Sequence, residues 1–240
     1  MAEEDIIIHP RRGKSEKTLP PYGIFIANPS DARFAHDELR KLGGERRYLH
    51  HSDLSVAVGQ DLFVAGPAIG APLATLALEK LIVLGAQRII LYGWCGSISA
   101  ELRIGDVVIG DKAVSGEGTS RYYPSPGGIG PSVRLQARLR DFLAEDGAQT
   151  KLVNLWSTDA PYREDRQELL RLQTAQAVSA VDMEYAALCA VSSFRGLEFA
   201  AVFLVSDELY GESWQPGFTS ALFKEKNHRL ITRLLSYPLS

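Results

Sequence analysis

Three features of the chain predict an α/β fold. Short β-branched or apolar runs alternate with segments of helical period from about residue 22 to residue 236. The stretch 66–99, GPAIGAPLATLALEKLIVLGAQRIILYGWCGSIS, reads as loop, helix and strand at the spacing of a parallel crossover unit. The length, 240 residues, suits one domain with a three-layer core.

Residues 1–20 are read as an N-terminal arm, because HPRRGKSEKTLP holds two arginines, two lysines, His9 and little to bury. Tyr22–Ala27 is a short apolar strand, ended by the turn cluster Asn28-Pro29-Ser30-Asp31. A helix over about 31–42 contains Arg33 and stops at Gly43-Gly44. Leu54–Val58 and Leu62–Ala65 form a hairpin around Gly59-Gln60. In the crossover unit, Leu73, Leu76, Ala77, Leu81 and Leu84 recur at helical spacing and Gly85 ends the helix. Pro72 falls in its first turn, where the missing N–H is harmless. The strand Arg88–Tyr92 then runs into a glycine-flanked loop, Gly93–Gly96.

Gly105–Val114 is the next strand, and the glycine- and proline-rich stretch 115–131 is a long loop. Ser132 to about Asp146 is an amphipathic helix with Leu135, Leu139, Phe142 and Leu143 on one face. Lys151–Trp156 is a strand, followed by a loop carrying Tyr162 and a helix over Arg163–Leu172. The apolar run AVSAV leads into Asp182-Met183-Glu184 and a helix reaching about Arg195. Phe199–Val205 is a strong strand ending at Ser206-Asp207, and Phe218–Ser236 is a closing helix.

Composition removes several classes of function. With 26 basic against 29 acidic residues and a net charge of −3, neither nucleic acid nor a membrane surface is expected as the main partner. With two cysteines, Cys95 and Cys189, both in apolar surroundings, neither a disulfide framework nor a cysteine metal site is expected, and a reducing cytoplasm is the natural compartment. No His/Cys/Asp cluster has ligand spacing, so no metal is expected, and the pair His50-His51 is read as solvated. MAEEDIII lacks a basic n-region and is not read as a secretory signal. No apolar run approaches a membrane span.

In an α/β sheet, ligands bind beyond the carboxyl ends of strands. Three such ends carry unusual residues: Gly93–Gly96, Asp182–Glu184 and Ser206-Asp207. An unpaired buried carboxylate costs several kcal/mol, so acids in the setting AVSAVDMEYAAL need donors. Sugar hydroxyls would supply them, and so would the first N–H groups of the following helix. Asp207, after FAAVFLVS, is placed either as a general acid or as a turn cap.

Four motifs in order, GPAIGAP, GWCGSI with GDVVIGD, VDMEYAAL and VSDEL, resemble the nucleoside phosphorylase family, nearly end to end. That family comprises purine nucleoside and uridine phosphorylases and related nucleosidases. The resemblance implies a three-layer fold whose central mixed, partly barrel-like sheet is flanked by helices. It implies a glycosyltransferase that cleaves a nucleoside, purine by the VSDEL motif, to free base and ribose 1-phosphate. Inorganic phosphate would be co-substrate, with no other cofactor, in a hexamer built from dimers. Met183 would lie against the ribose, and Glu184, assisted by Asp182, would bind its 2′- and 3′-hydroxyls. Asp207 would protonate the departing purine at N7. His9 would reach a neighbouring subunit's 5′-hydroxyl, and Arg47 would be lent across a dimer interface. Arg33, Arg47, Gly93 and Trp94 would form the phosphate side, and Cys95, Gly96, Tyr162, Val181 and Ser206 the base side.

The chain departs from this pattern where phosphate should bind. Leu91 stands in place of an arginine, Trp94 in place of a serine or threonine, and the first loop reads ANPSDAR. No arginine stands soon after Asp207 at the position that should assist it, where Lys224 and Lys226 are the nearby cations. Water in place of phosphate, giving a nucleosidase, is therefore one alternative, and nucleoside binding without turnover is another. Trp94 packed as plain core, with no anion site formed, is the simplest account of that position.

Overall fold

The computed structural model describes residues 5–49, 51–57, 59, 61–125 and 127–238. Residues 1–4 of the arm, Val58 and Gln60 of the expected hairpin, His50 of the histidine pair and Pro126 of the long loop lie outside them. The elements are β1 (Tyr22–Ile26), α1 (Pro29–Lys41), β2 (Glu45–Leu49), β3 (Ser52–Val56), β4 (Leu62–Gly66), α2 (Ala71–Leu84) and β5 (Arg88–Ser97). They continue with β6 (Val107–Ser115), α3 (Val133–Ala144), β7 (Thr150–Ser157), α4 (Arg166–Gln176), β8 (Val178–Asp182), α5 (Tyr185–Arg195), β9 (Glu198–Glu208), β10 (Gln215–Pro216) and α6 (Ala221–Leu235).

The described strands form one sheet in the order β10-β9-β6-β7-β8-β5-β1-β4-β3-β2, and β9 also pairs with β5. That extra pairing closes β5, β8, β7, β6 and β9 into a barrel-like ring. Within it β5–β9, β6–β7 and β7–β8 are parallel, while β5–β8 and β6–β9 are antiparallel. The mixed, partly closed sheet flanked by helices is the architecture expected from the motifs.

Side-chain alternation sorts the strands into two cores. Phe25, Phe63, Ile89, Leu91, Ala201 and Phe203 pack with α2 and α5. Ile24, Ile26, Val64, Ile90, Tyr92, Val202 and Leu204 pack with α1, α3 and α6. A strand buried on both faces reads as a continuous apolar run, which accounts for FAAVFLV in β9. Leu91 is spent on the first of these cores, where an arginine would have been a buried charge. α2 and α5 lie side by side, pinned by Arg195, whose guanidinium grips buried Glu79 at 3.0–3.2 Å. Small residues Ala186, Ala187, Cys189 and Ala190 leave α5 buried along most of its length.

Several boundaries differ from expectation. β2, ERRYL, is a charged edge strand with one buried residue, so it lacks the apolar alternation that marks a strand. Gly93–Ser97 is the continuation of β5, paired with β9, and not a loop. β9 likewise runs through Asp207 to Glu208. α4 starts later because Asp165 caps it, accepting from the N–H groups of Gln167 and Glu168 at 3.0 and 3.2 Å. Among the described residues no helix is long and apolar enough to cross a membrane.

Candidate active site

The carboxyl ends of β1, β5, β8 and β9 open into a cavity of about 640 Å³. β5 and β9 run parallel until the pairing shifts between Cys95 and Gly96, which brings Gly96 opposite Asp207. Space there is tight. A Cβ at residue 96 would collide with Leu209 and stand 3.2 Å from Asp207 Oδ2 and from Val181 Cγ1.

The two acids of VDMEY separate into different tasks. Asp182 Oδ2 accepts from the N–H groups of Glu184 (3.0 Å) and Tyr185 (2.6 Å), and Oδ1 accepts from Ser157 Oγ. It is thus the cap of α5. Glu184 makes no side-chain cap, and instead its Oε1 accepts from the Gly70 N–H at 2.6 Å. Gly70 adopts φ of 85°, a conformation that favours glycine, at the start of α2. The side-by-side packing of α2 and α5 therefore delivers Glu184 to the cavity. Burial pushes the Glu184 carboxyl well up from its ordinary range, and the neighbouring Asp182 charge pushes it further. Asp182 is raised too, by burial, against the pull of Ser157 and two backbone N–H groups. Met183 lies between them on the cavity wall.

At the other side Asp207 is held through both oxygens. Ser206 Oγ donates to Oδ1 at 2.6 Å and Trp214 Nε1 donates to Oδ2 at 2.8 Å. Each oxygen retains a further lone-pair direction. Ser206 Oγ is also within 3.2 Å of the Cys95 carbonyl. Cys95 is no nucleophile, since burial pushes its thiol well up and the charges of Asp182 and Asp207 add to that. Val181 is buried in the wall, and Tyr162, fully exposed at the mouth, presents a free ring.

The end expected to hold phosphate is occupied by an aromatic and acidic network. Trp94 stacks on Phe218 (5.9 Å between centroids) and meets Phe223 edge-on (5.1 Å). Its Nε1 donates to Asn227 Oδ1 at 3.1 Å, and Tyr92 Oη donates to the same oxygen. Asn227 Nδ2 in turn donates to Asp31 Oδ1 at 2.8 Å. Asp31 is buried, its Oδ2 lacks a hydrogen-bond partner among the described residues, and burial raises its pKa.

The structure therefore gathers Asp182, Met183, Glu184, Trp94, Cys95, Gly96, Tyr162, Val181, Ser206 and Asp207 around one cavity. Gly93 lies in β5 behind that lining. Arg33 is exposed on α1, and Arg47, on edge strand β2, binds Glu45 (3.2 Å) and the Thr18 carbonyl (2.9 Å). His9 lies in a second, apolar groove with Ile6, Ile8, Leu76 and Tyr122. Glu164, Trp214, Phe218, Asn28 and Ile69 also line the cavity, and no motif marks them. Among its described lining residues there is no Lys, Arg or His. No group of described His, Cys, Asp and Glu residues could hold a metal ion.

Comparison with known proteins fits this architecture. The chain is 31% identical to a guanosine phosphorylase of Halorubrum lacusprofundi over 154 residues, 63% of this chain and 63% of that protein, so the match spans less than two thirds of the relative. A purine nucleoside phosphorylase from Toxoplasma gondii, solved in complex with immucillin-H, has the same fold at a TM-score of 0.77 and 21% identity, covering 90% of this chain and 89% of that one. The 5′-methylthioadenosine/S-adenosyl homocysteine nucleosidase of Campylobacter jejuni superposes at a TM-score of 0.76 and 18% identity, covering 90% and 97%. The profile of the phosphorylase superfamily matches residues 21–236. By that match over most of its length, the chain belongs to the phosphorylase superfamily.

Proposed function

We propose that the chain is an enzyme that cleaves the N-glycosidic bond of a nucleoside, with a purine as leaving base. The observation that carries this reading is the presence, in one cavity, of buried Glu184 at a helix start and Asp207 at a strand end. Glu184 accepts the 2′- and 3′-hydroxyls of the ribose, with Met183 against the sugar. As the bond to the base lengthens, positive charge grows on the sugar and negative charge on the base. Asp207 delivers a proton to N7, so the base leaves neutral. Ser206 and Trp214 fix the orientation of its carboxyl through both oxygens. Tyr162 covers the base at the mouth.

Phosphorolysis, with inorganic phosphate as co-substrate and no other cofactor, is supported by the motifs and by the name of the guanosine phosphorylase relative. One observation favours hydrolysis as a second reading: the described lining lacks any cation, and Trp94, linked through Asn227 to buried Asp31, stands at the anion end. In a single chain, phosphate would have to be held without a cation, by backbone N–H groups and neutral donors such as the Asn28 amide. Nucleosides incubated with and without phosphate distinguish the readings. Release of base that requires phosphate and yields ribose 1-phosphate supports phosphorolysis, and release that ignores phosphate supports hydrolysis. Tight binding without release would make the chain a nucleoside-binding protein.

A homo-oligomer, a hexamer built from dimers, belongs to the same proposal. It is supported by the exposed apolar side chains Ile7, Ile8, Leu76 and Tyr122 near His9. Arg47 or His9 would then serve a neighbour's cavity. Sedimentation equilibrium is expected to give six chains per particle, and a monomer at all concentrations rules the shared-residue arrangement out.

A further inference from the structure

The loop that gives Glu184 its donor is held from behind by a histidine. Gly66–Gly70 leaves β4 and opens α2, and its last residue presents the N–H that Glu184 Oε1 accepts at 2.6 Å. Its first residues are fixed by three elements. A Cβ on Gly66, whose φ is 138°, would stand 2.2 Å from the Ile26 carbonyl oxygen, so the backbone passes hard against the end of β1. The Ala68 N–H donates to the Ala27 carbonyl at 3.1 Å, and Ser52 Oγ of β3 donates to the Pro67 carbonyl at 2.8 Å. From α1, His36 Nε2 lies 3.0 Å from the Gly66 carbonyl oxygen, and its Nδ1 lies 2.9 Å from Ser55 Oγ.

These partners fix the state of the ring. A carbonyl only accepts, so Nε2 carries the proton and donates to Gly66, which leaves Nδ1 to accept from the Ser55 hydroxyl. Neutral imidazole satisfies both contacts, and burial lowers its pKa, which favours that form. His36 does not line the cavity itself. Between the Gly66 carbonyl and the Gly70 N–H stand only Pro67, Ala68 and Ile69, and the proline ring fixes one of their φ angles. A shift at Gly66 therefore reaches Gly70 with little slack. Misplacement by about 1 Å, caused by a change remote from the chemistry, can cost about 10²-fold.

We infer that His36 is a positioning residue for the candidate site: by holding the Gly66 carbonyl it sets the Gly66–Gly70 loop, and with it the Gly70 N–H that aims Glu184 at the sugar. This inference rests on the reading of Glu184 as the acid that holds the ribose. Glu184 is steered at one oxygen by this loop, and its other oxygen is left for the ligand. The chain of contacts runs from Ser55 through His36, Gly66 and Gly70 to Glu184, so α1 and β3 act on a cavity that neither His36 nor Ser55 lines.

Calorimetric titration of the whole protein with purine nucleosides tests the inference, for the wild type, His36→Ala, His36→Asn and His36→Gln, each also combined with Glu184→Ala. Glutamine places its amide nitrogen near the position of Nε2, and asparagine near that of Nδ1. His36→Ala and His36→Asn are expected to bind about tenfold more weakly than the wild type. His36→Gln, which can still donate to the Gly66 carbonyl, is expected to stay within about threefold of it. With Glu184→Ala present no carboxylate is left to aim, and the same changes at His36 are expected to alter affinity by less than about twofold. A role in stability alone would move the melting temperature without producing this pattern. The comparison of His36→Asn with His36→Gln decides the matter even if His36→Ala does not fold. Equal affinities for those two variants, or losses as large with Glu184→Ala present as without it, overturn the assignment and leave the nucleoside reading standing. If Glu184→Ala alone leaves nucleoside affinity unchanged, the reading of Glu184 falls and this inference with it.

Discussion

Asp207→Asn is expected to lower turnover of ordinary purine nucleosides by about 10²–10⁴-fold, with little change in KM. The amide cannot deliver a proton to N7 as the glycosidic bond breaks, and that transfer matters in the transition state more than in the bound ground state. The geometry of the site should survive the change. Asn retains one acceptor oxygen, so either Ser206 Oγ or Trp214 Nε1 keeps its partner. The diagnostic comparison is a 7-methylated purine nucleoside, whose leaving base already carries positive charge and needs no proton. Its cleavage is expected to be nearly as fast in the variant as in the wild type. Equal losses on both substrates would assign Asp207 to positioning or to the fold and remove it as the acid.

Much of this site was legible because its residues stand where local signals change. VDMEY and VSDEL are polar interruptions at the ends of apolar runs, and both sit at the cavity. What separated Asp182 from Glu184 was not in the sequence. Either acid could cap α5, and only the packing of α2 against α5, which brings the Gly70 N–H to Glu184, assigns the cap to Asp182. Gly93–Gly96 looked like a loop because glycines weaken a strand signal. The β9 partner overrides that propensity and carries β5 to Ser97. Glu164 and Trp214 lie in polar connections without periodicity, so nothing local announces that they line the cavity. Arg33 and Arg47 were legible only as cations near a motif. Their exposed and edge-strand settings follow from the three-dimensional path of α1 and β2.

Glu184→Gln is expected to weaken nucleoside binding and, at alkaline pH, to strengthen the fold. A lost charge-assisted bond to a ribose hydroxyl costs about 1.5–3 kcal/mol, roughly a ten- to hundredfold loss of affinity. The stability effect has the opposite sign, for a reason that lies in the burial of the carboxyl. Burial and the Asp182 charge raise the folded-state pKa of Glu184, and the single donor from Gly70 only partly opposes them. Below the carboxylate's unfolded pKa both states are protonated and nothing is lost. Above it the unfolded chain releases the proton while the folded chain retains it, so unfolding becomes easier as pH rises through the folded pKa. Each unit of that rise is about 1.4 kcal/mol, and glutamine, which does not titrate but still accepts from Gly70, removes the penalty. Urea unfolding between about pH 5 and 9 is therefore expected to show the variant gaining on the wild type by about 1–3 kcal/mol as pH increases. The same linkage makes wild-type affinity for nucleoside rise with pH across that window, because hydroxyl donors favour the ionised carboxylate. Calorimetry at several pH values checks it. An unchanged affinity in Glu184→Gln, together with parallel stability curves, would leave Glu184 as a link between α2 and α5 with no part in holding the sugar.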